Sequence, residues 1–171
     1  MNSAPFHVAR LDSDHERSTF HSGSEPLDGY FKHQVTQDVR RRVTACFVAL
    51  TEYRRIAGYY TLASASFLLS DLPMALSKKL PRYPTVPAIR MGRLAVDKEF
   101  KGIGLGGALL ADALTRSMRS EIAAYALVVD AKDESAVAFY KHHGLVELPN
   151  QSLRLFLPFA TVTGIAPAPL K

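Results

Sequence analysis

The chain has one cysteine, no tryptophan and no long apolar run. A lone Cys46 excludes an intrachain disulfide and a cysteine-rich zinc site, and it places the chain in a reducing compartment, the cytoplasm. No stretch of roughly 18 consecutive apolar residues occurs, so no segment is expected to span a membrane. The first 20 residues contain three acids and no apolar centre, which is not a secretory leader. The six histidines show no metal-ligand spacing, so no metal is expected. Disorder along the whole chain is excluded as well, since 47% of residues are hydrophobic, 22% are charged and the mean hydropathy is near zero.

What is present is a single-domain length of 171 residues, enough to bury ~70% of the unfolded surface in a core. We expect one domain over 1–160 and a frayed tail over 161–171, which is rich in proline and small residues. The net charge of +5 and the pI of about 9.4 suit an anionic partner, such as a phosphate-bearing cofactor or a nucleic acid.

Periodicity predicts the elements. Phe6 to Leu11 reads as an edge strand. One helix is expected over Leu27 to Val39, capped by Ser24 or Glu25, with Pro26 in its first turn and Arg40, Arg41 and Arg42 at its end. Val43 to Leu50 and Ile56 to Phe67 form a hairpin across the charged turn 51–55. Leu72 to Pro87, with four prolines, is mostly loop with one helical turn. Ile89 to Val96 is a strand, Gly104 to Met118 a helix, and Ala123 to Val129 a strand apolar on both faces, as in a parallel pairing. A helix over Asp133 to His143 and two short strands close the chain. The order predicts an α/β (α+β) fold, a mixed central sheet of six to seven strands with helices on its faces.

The most informative segment is the turn after Val96. Gly102, Gly104, Gly106 and Gly107 put four glycines in six positions, between a strand and an apolar helix. Glycines let backbone N–H groups converge on an anion, and the helix N-terminus adds unpaired donors and its positive dipole end. The spacing fails the dinucleotide fingerprint, which needs G-x-G-x-x-G on a first strand, and Gly107-Ala108-Leu109 fails the P-loop. A tight turn with no ligand is the bland alternative.

Two motifs now carry a resemblance. Lys101-x-x-Gly104-x-Gly106 resembles the R/Q-x-x-G-x-G/A acetyl-CoA loop of the GNAT acetyltransferases. Ala136-Val137-Ala138-Phe139-Tyr140, running to Gly144-Leu145, is similar to that family's A-x-x-F-Y-x-x-x-G-F. Three further segments resemble the GNAT toxins of type II toxin–antitoxin pairs: Phe20-His21-Ser22-Gly23 with Leu27-Asp28, Ala57 to Leu62, and Gly92-Arg93-Leu94-Ala95-Val96-Asp97. The likeness runs from Phe20 to Pro158. Lys101 and Leu145 depart from the pattern, and lysine offers phosphate a cation without the planar fork.

The resemblance implies a splay between the strand of Leu94 to Val96 and the next strand, with pantetheine paired to the backbone of Leu94 and Val96. It assigns the acetyl-CoA site to Leu94, Ala95, Val96, Lys101, Gly102, Ile103, Gly104, Leu105, Gly106, Gly107 and Phe139. It makes a backbone N–H near Val96 the oxyanion donor and Tyr140 the acid that protonates the leaving thiolate. A phenol with a pKa near 10 is neutral at pH 7 and suits that role. The implied reaction is acetylation of the α-amino group of aminoacyl-tRNA, held in check by a small DNA-binding antitoxin. A homodimer is also expected.

No general base is evident, and an α-amine acceptor explains why. An α-amine is roughly 10–20% neutral at pH 7, against about 0.04% for a lysine side chain. Lys78, Lys79, Arg90 and Arg93 are candidate contacts to tRNA phosphates, with solvated cations as the alternative. Two other functions stay open at this point: acetylation of a small amine or a protein N-terminus without a toxin role, and a silent acyl-CoA-binding regulator.

Overall fold

Apolar β-branched and aromatic runs become strands, and segments of helical period become helices, in a computed structural model that describes residues 5–162. The elements run β1 (His7–Arg10), α1 (Glu25–His33), α2 (Val35–Arg40), β2 (Ala45–Leu50), β3 (Ile56–Leu68), α3 (Met74–Ser77), β4 (Thr85–Val96), α4 (Leu105–Met118), β5 (Ala126–Asp130), α5 (Glu134–His142), β6 (Val146–Glu147) and β7 (Arg154–Pro158). The strands form one mixed seven-stranded sheet in the order β1-β2-β3-β4-β5-β7-β6. β4 and β5 pair in parallel, in register from Ala88↔Ala126 to Met91↔Val129. β4 continues to Val96, so the backbone of its last five residues extends past that register. Residues 163–171 of the expected tail lie outside the described residues.

The chain divides into two compact units. The first runs to Ala63 and takes in Gly92–Ala113. Its core is aromatic: the Phe31 and Tyr59 rings stack at 4.2 Å, and Phe20 meets both edge-on at 5.1 and 5.6 Å. The Tyr59 hydroxyl donates to the Leu27 carbonyl at 2.7 Å, which ties α1 to that face of β3. Gly58 points to the opposite face, where a Cβ would come within 2.8 Å of Leu109 Cδ1 and 2.9 Å of the Ala95 carbonyl. Only a residue without a side chain lets α4 approach β3 this closely. Tyr60, on the same face, stacks on Phe47 and hydrogen-bonds the Asp112 carboxylate of α4. Helices therefore cover both faces of the sheet in this unit.

The second unit holds Ser64–Met91 and the chain from Leu114 onward. Phe67, Leu72, Val86, Ala88, Ala126, Val128 and Phe156 make its core. Leu127 and Val129, on the other face of β5, are also buried, as the unbroken apolar run predicted.

Several boundaries differ from expectation. The single helix over Leu27 to Val39 is two helices, broken at Gln34 (φ −120°, ψ −33°). The break lets Asp38 of α2 reach the Tyr30 hydroxyl of α1 at 2.8 Å. β4 starts at Thr85, inside the expected loop. Pro87 is tolerated there because its carbonyl, which proline keeps, accepts the Tyr125 N–H at 2.9 Å. β5 starts at Ala126, three residues later than expected.

Candidate active site

The glycine turn builds an anion cradle within the first unit. Gly102 (φ +80°) and Gly104 (φ +86°) hold left-handed backbone that other residues adopt at a cost, and neither would crowd a neighbour if given a Cβ. The constraint is therefore the chain path and not space. The first bond of α4 runs from Ala108 N to Gly104 O at 3.1 Å. The N–H groups of Leu105, Gly106 and Gly107 precede it and lie at the positive end of a 14-residue helix. That donor set suits a diphosphate. Ala95 and Leu105 are each 5% exposed, with their side chains in the core, so any cofactor contact they make is through the backbone. Leu94 and Val96 are half-buried and Ile103 is exposed.

Asp97 holds the turn in place. The sequence motif contains it without giving it a role. It is 2% exposed. One carboxylate oxygen accepts the His21 N–H at 2.9 Å and the other the Glu99 N–H at 3.0 Å, with the Arg55 guanidinium 3.6 Å away. Its own N–H donates to Ala57 O at 2.8 Å, and Lys98 N–H returns a bond to His21 O at 2.9 Å. An aspartate closing a strand just before a short turn is an N-cap signal, which would have found it.

Lys101 joins two loops of the first unit. Its ammonium donates to the Ser22 carbonyl at 2.6 Å, fastening the loop before α1 to the glycine turn. Asp28 braces the same loop, accepting the Ser22 N–H at 3.0 Å and the Ser22 hydroxyl at 2.6 Å. Burial opposes the Asp28 charge, but the Ser22 bonds and His21 outweigh it and hold the carboxyl below its usual range.

Tyr140 and Phe139 belong to the second unit. Asp133 caps α5, its carboxylate accepting the Ala136 N–H at 2.8 Å. Tyr140 is buried at 7% exposure, Phe139 is half-buried, and their rings meet at 5.2 Å. Burial pushes the Tyr140 phenol up to about 12, so it stays a neutral acid well above pH 7. No hydrogen bond occupies its hydroxyl among the described residues. His142 and His143 are exposed, and their ring centroids lie 5.0 Å apart.

The candidate RNA contacts divide by environment. Lys78, Lys79 and Arg90 are exposed. Arg93 is half-buried, with its guanidinium carbon 3.4 Å from the centre of the Tyr30 ring. Among the described residues, no group of three or more His, Cys, Asp or Glu side chains could hold a metal ion, and no helix is long and apolar enough to cross a membrane.

Comparison with known proteins decides the family. The acetyltransferase (GNAT) domain family matches residues 24–159. The chain is a GNAT acetyltransferase. It is 34% identical over 157 residues, 91% of each chain, to the tRNA-acetylating toxin of Mycobacterium tuberculosis (strain ATCC 25618 / H37Rv). Its fold matches that of AtaT complexed with acetyl-methionyl-tRNAfMet, with a TM-score of 0.84 and 29% identity, covering 91% of this chain and 95% of the other. It also matches AtaTR bound with AcCoA, with a TM-score of 0.79 and 28% identity over the same shares. This GNAT enzyme is thus an N-acetyltransferase that uses acetyl-CoA, and the donors at the start of α4 fit that cosubstrate.

Proposed function

We propose that this acetyltransferase is a toxin that transfers an acetyl group to the α-amino group of aminoacyl-tRNA and so blocks translation. One observation carries the reading: the likeness to a tRNA-acetylating toxin covers 91% of the chain, well beyond the acetyl-CoA elements.

Acetyl-CoA supplies an acetyl group activated as a thioester. The chain's own groups do the rest. The amides of Leu105, Gly106 and Gly107 bind the diphosphate, and Gly102 and Gly104 keep the backbone path open around it. Backbone at Leu94 and Val96 positions the pantetheine arm, and an N–H near Val96 stabilises developing negative charge. Tyr140 holds a proton for the departing thiolate. An α-amine is partly neutral at pH 7, so the chain needs no dedicated base. Lys78, Lys79, Arg90 and Arg93 contact tRNA phosphates. A toxin of the cytoplasm must be silenced in its own cell, and we assign that task to a small DNA-binding antitoxin whose acidic or amphipathic segment meets the basic surface. The active form is a homodimer.

The test is label transfer. With labelled acetyl-CoA and matched pools of charged and uncharged tRNA, label should appear on the charged pool alone and leave with the amino acid on mild alkaline hydrolysis. Label on a small amine or a protein N-terminus, with none on charged tRNA, would replace the toxin reading with a metabolic one.

A further inference from the structure

Two arginines of the first unit have spent donors there. Arg17 donates to the Phe31 carbonyl at 2.6 Å, and Arg55 pairs with Glu99 at 2.5 Å and with Asp97. Arg93 differs. It is half-buried, yet among the described residues none of its guanidinium N–H groups is hydrogen-bonded and no carboxylate lies within 4.0 Å of it. One face of its guanidinium lies on the Tyr30 ring at 3.4 Å.

The ring beneath it is itself fixed. Tyr30 is 8% exposed, and its hydroxyl donates to one oxygen of Asp38 at 2.8 Å, while the Gln34 amide holds the other at 3.0 Å. The Gln34 and Tyr30 bonds hold the Asp38 carboxyl below its usual range, and the charges of Arg93 and Arg41 add to this. The break between α1 and α2 is what brings Asp38 into reach. Arg93 is therefore oriented before any ligand arrives, with its planar fork unspent, on the strand that continues into Leu94–Val96.

A partly desolvated guanidinium with free in-plane donors matches a phosphate, which it can grip with two parallel bonds. We infer that Arg93 grips a backbone phosphate at the 3′ end of the acceptor strand, and that Tyr30 and Asp38 are the positioning residues that aim it. This inference rests on the aminoacyl-tRNA reading above and assigns it a specific anchor.

The experiment compares two acceptors, charged tRNA and an aminoacyl-adenosine, which ends at the sugar and has no phosphate. On charged tRNA, Arg93→Lys keeps the charge but loses the fork and the stack, and it should raise KM about tenfold, close to Arg93→Ala. Tyr30→Phe keeps the ring and should raise KM two- to threefold. Tyr30→Leu removes the platform and should approach Arg93→Lys, with its melting temperature measured alongside to detect a damaged core. KM for acetyl-CoA should not move in any variant. On aminoacyl-adenosine the differences between Arg93 variants and wild type should vanish. Equal losses on both acceptors, or wild-type KM for Arg93→Lys on tRNA, would overturn the assignment while the tRNA reading stands. Failure of the wild-type enzyme to use charged tRNA at all would remove that reading, and the anchor with it.

Discussion

Cations that look alike in the sequence meet different surroundings in the fold. Arg93 lies flat on Tyr30, and Lys101 is bonded to the Ser22 carbonyl. Lys78 and Lys79, at the end of α3 in the other unit, are exposed. A fixed cation meets a ligand with its side-chain entropy already lost, whereas an exposed lysine must lose that freedom on binding and is screened by salt. Charge and spacing mark both groups as candidates, but only tertiary contacts separate an oriented donor from a diffuse one. Lys101 shows the same contrast, because its ammonium is bonded to a loop carbonyl.

The largest effect should come from the cradle. Gly104→Glu places a strained backbone and a negative charge at the diphosphate position. It should abolish the rise in melting temperature that acetyl-CoA confers through linkage, RT ln(1 + [L]/Kd), and with it all activity. An unchanged thermal shift in the variant would move the cofactor elsewhere.

Next comes the proton donor. Tyr140→Phe removes the hydroxyl and keeps the ring, so kcat should fall by a factor on the order of 10², with acetyl-CoA binding retained. Because burial holds the phenol at about 12, the wild-type kcat profile should show no alkaline limb near pH 10, where an exposed phenol ionises. The protonated form is the active one, so activity tied to it declines only as pH rises towards 12. A limb at pH 10, or wild-type turnover in Tyr140→Phe, would assign the proton to another group.

Lys101 sharpens the comparison from the other side. Lys101→Met removes the bond to Ser22, and the loop before α1 should lose on the order of 1 kcal/mol or less, because the lysine is largely exposed. Acetyl-CoA affinity should fall only a few-fold. A loss above tenfold with an unchanged melting temperature would return Lys101 to the phosphate. The smallest effects belong to Lys78→Ala and Lys79→Ala, each expected to raise KM for charged tRNA by less than threefold, against about tenfold for Arg93→Lys. Equal effects for the fixed and the exposed cations would erase the distinction.

Much of the fold was legible from period and punctuation. The glycine turn announced itself because left-handed backbone at Gly102 and Gly104 leaves little choice of residue. β5 did so because four consecutive apolar residues, Ala126 to Val129, must be buried on both faces. The break at Gln34 was not legible: no proline or glycine marks it, and Val35 continues the apolar stripe that suggested one helix. Nor was the Arg93–Tyr30 stack, which joins residues far apart in sequence. Tyr140 was visible only through its motif, since a lone tyrosine on a helix is most often a packing residue. Asp97 stood inside a recognised segment, but its service as the hub of the turn depends on partners at His21 and Arg55 that only the fold brings to it.

The most direct test of an acceptor held by its phosphates is KM for charged tRNA at two ionic strengths. For Z neutralised phosphates, log K should fall with log salt at a slope of about −0.7Z on single strands and about −0.9Z on duplex. We predict a steep rise in KM with salt and a slope about one unit shallower in Arg93→Ala, with KM for acetyl-CoA nearly unchanged. A KM for charged tRNA that does not respond to salt would contradict the assignment of aminoacyl-tRNA as the acceptor.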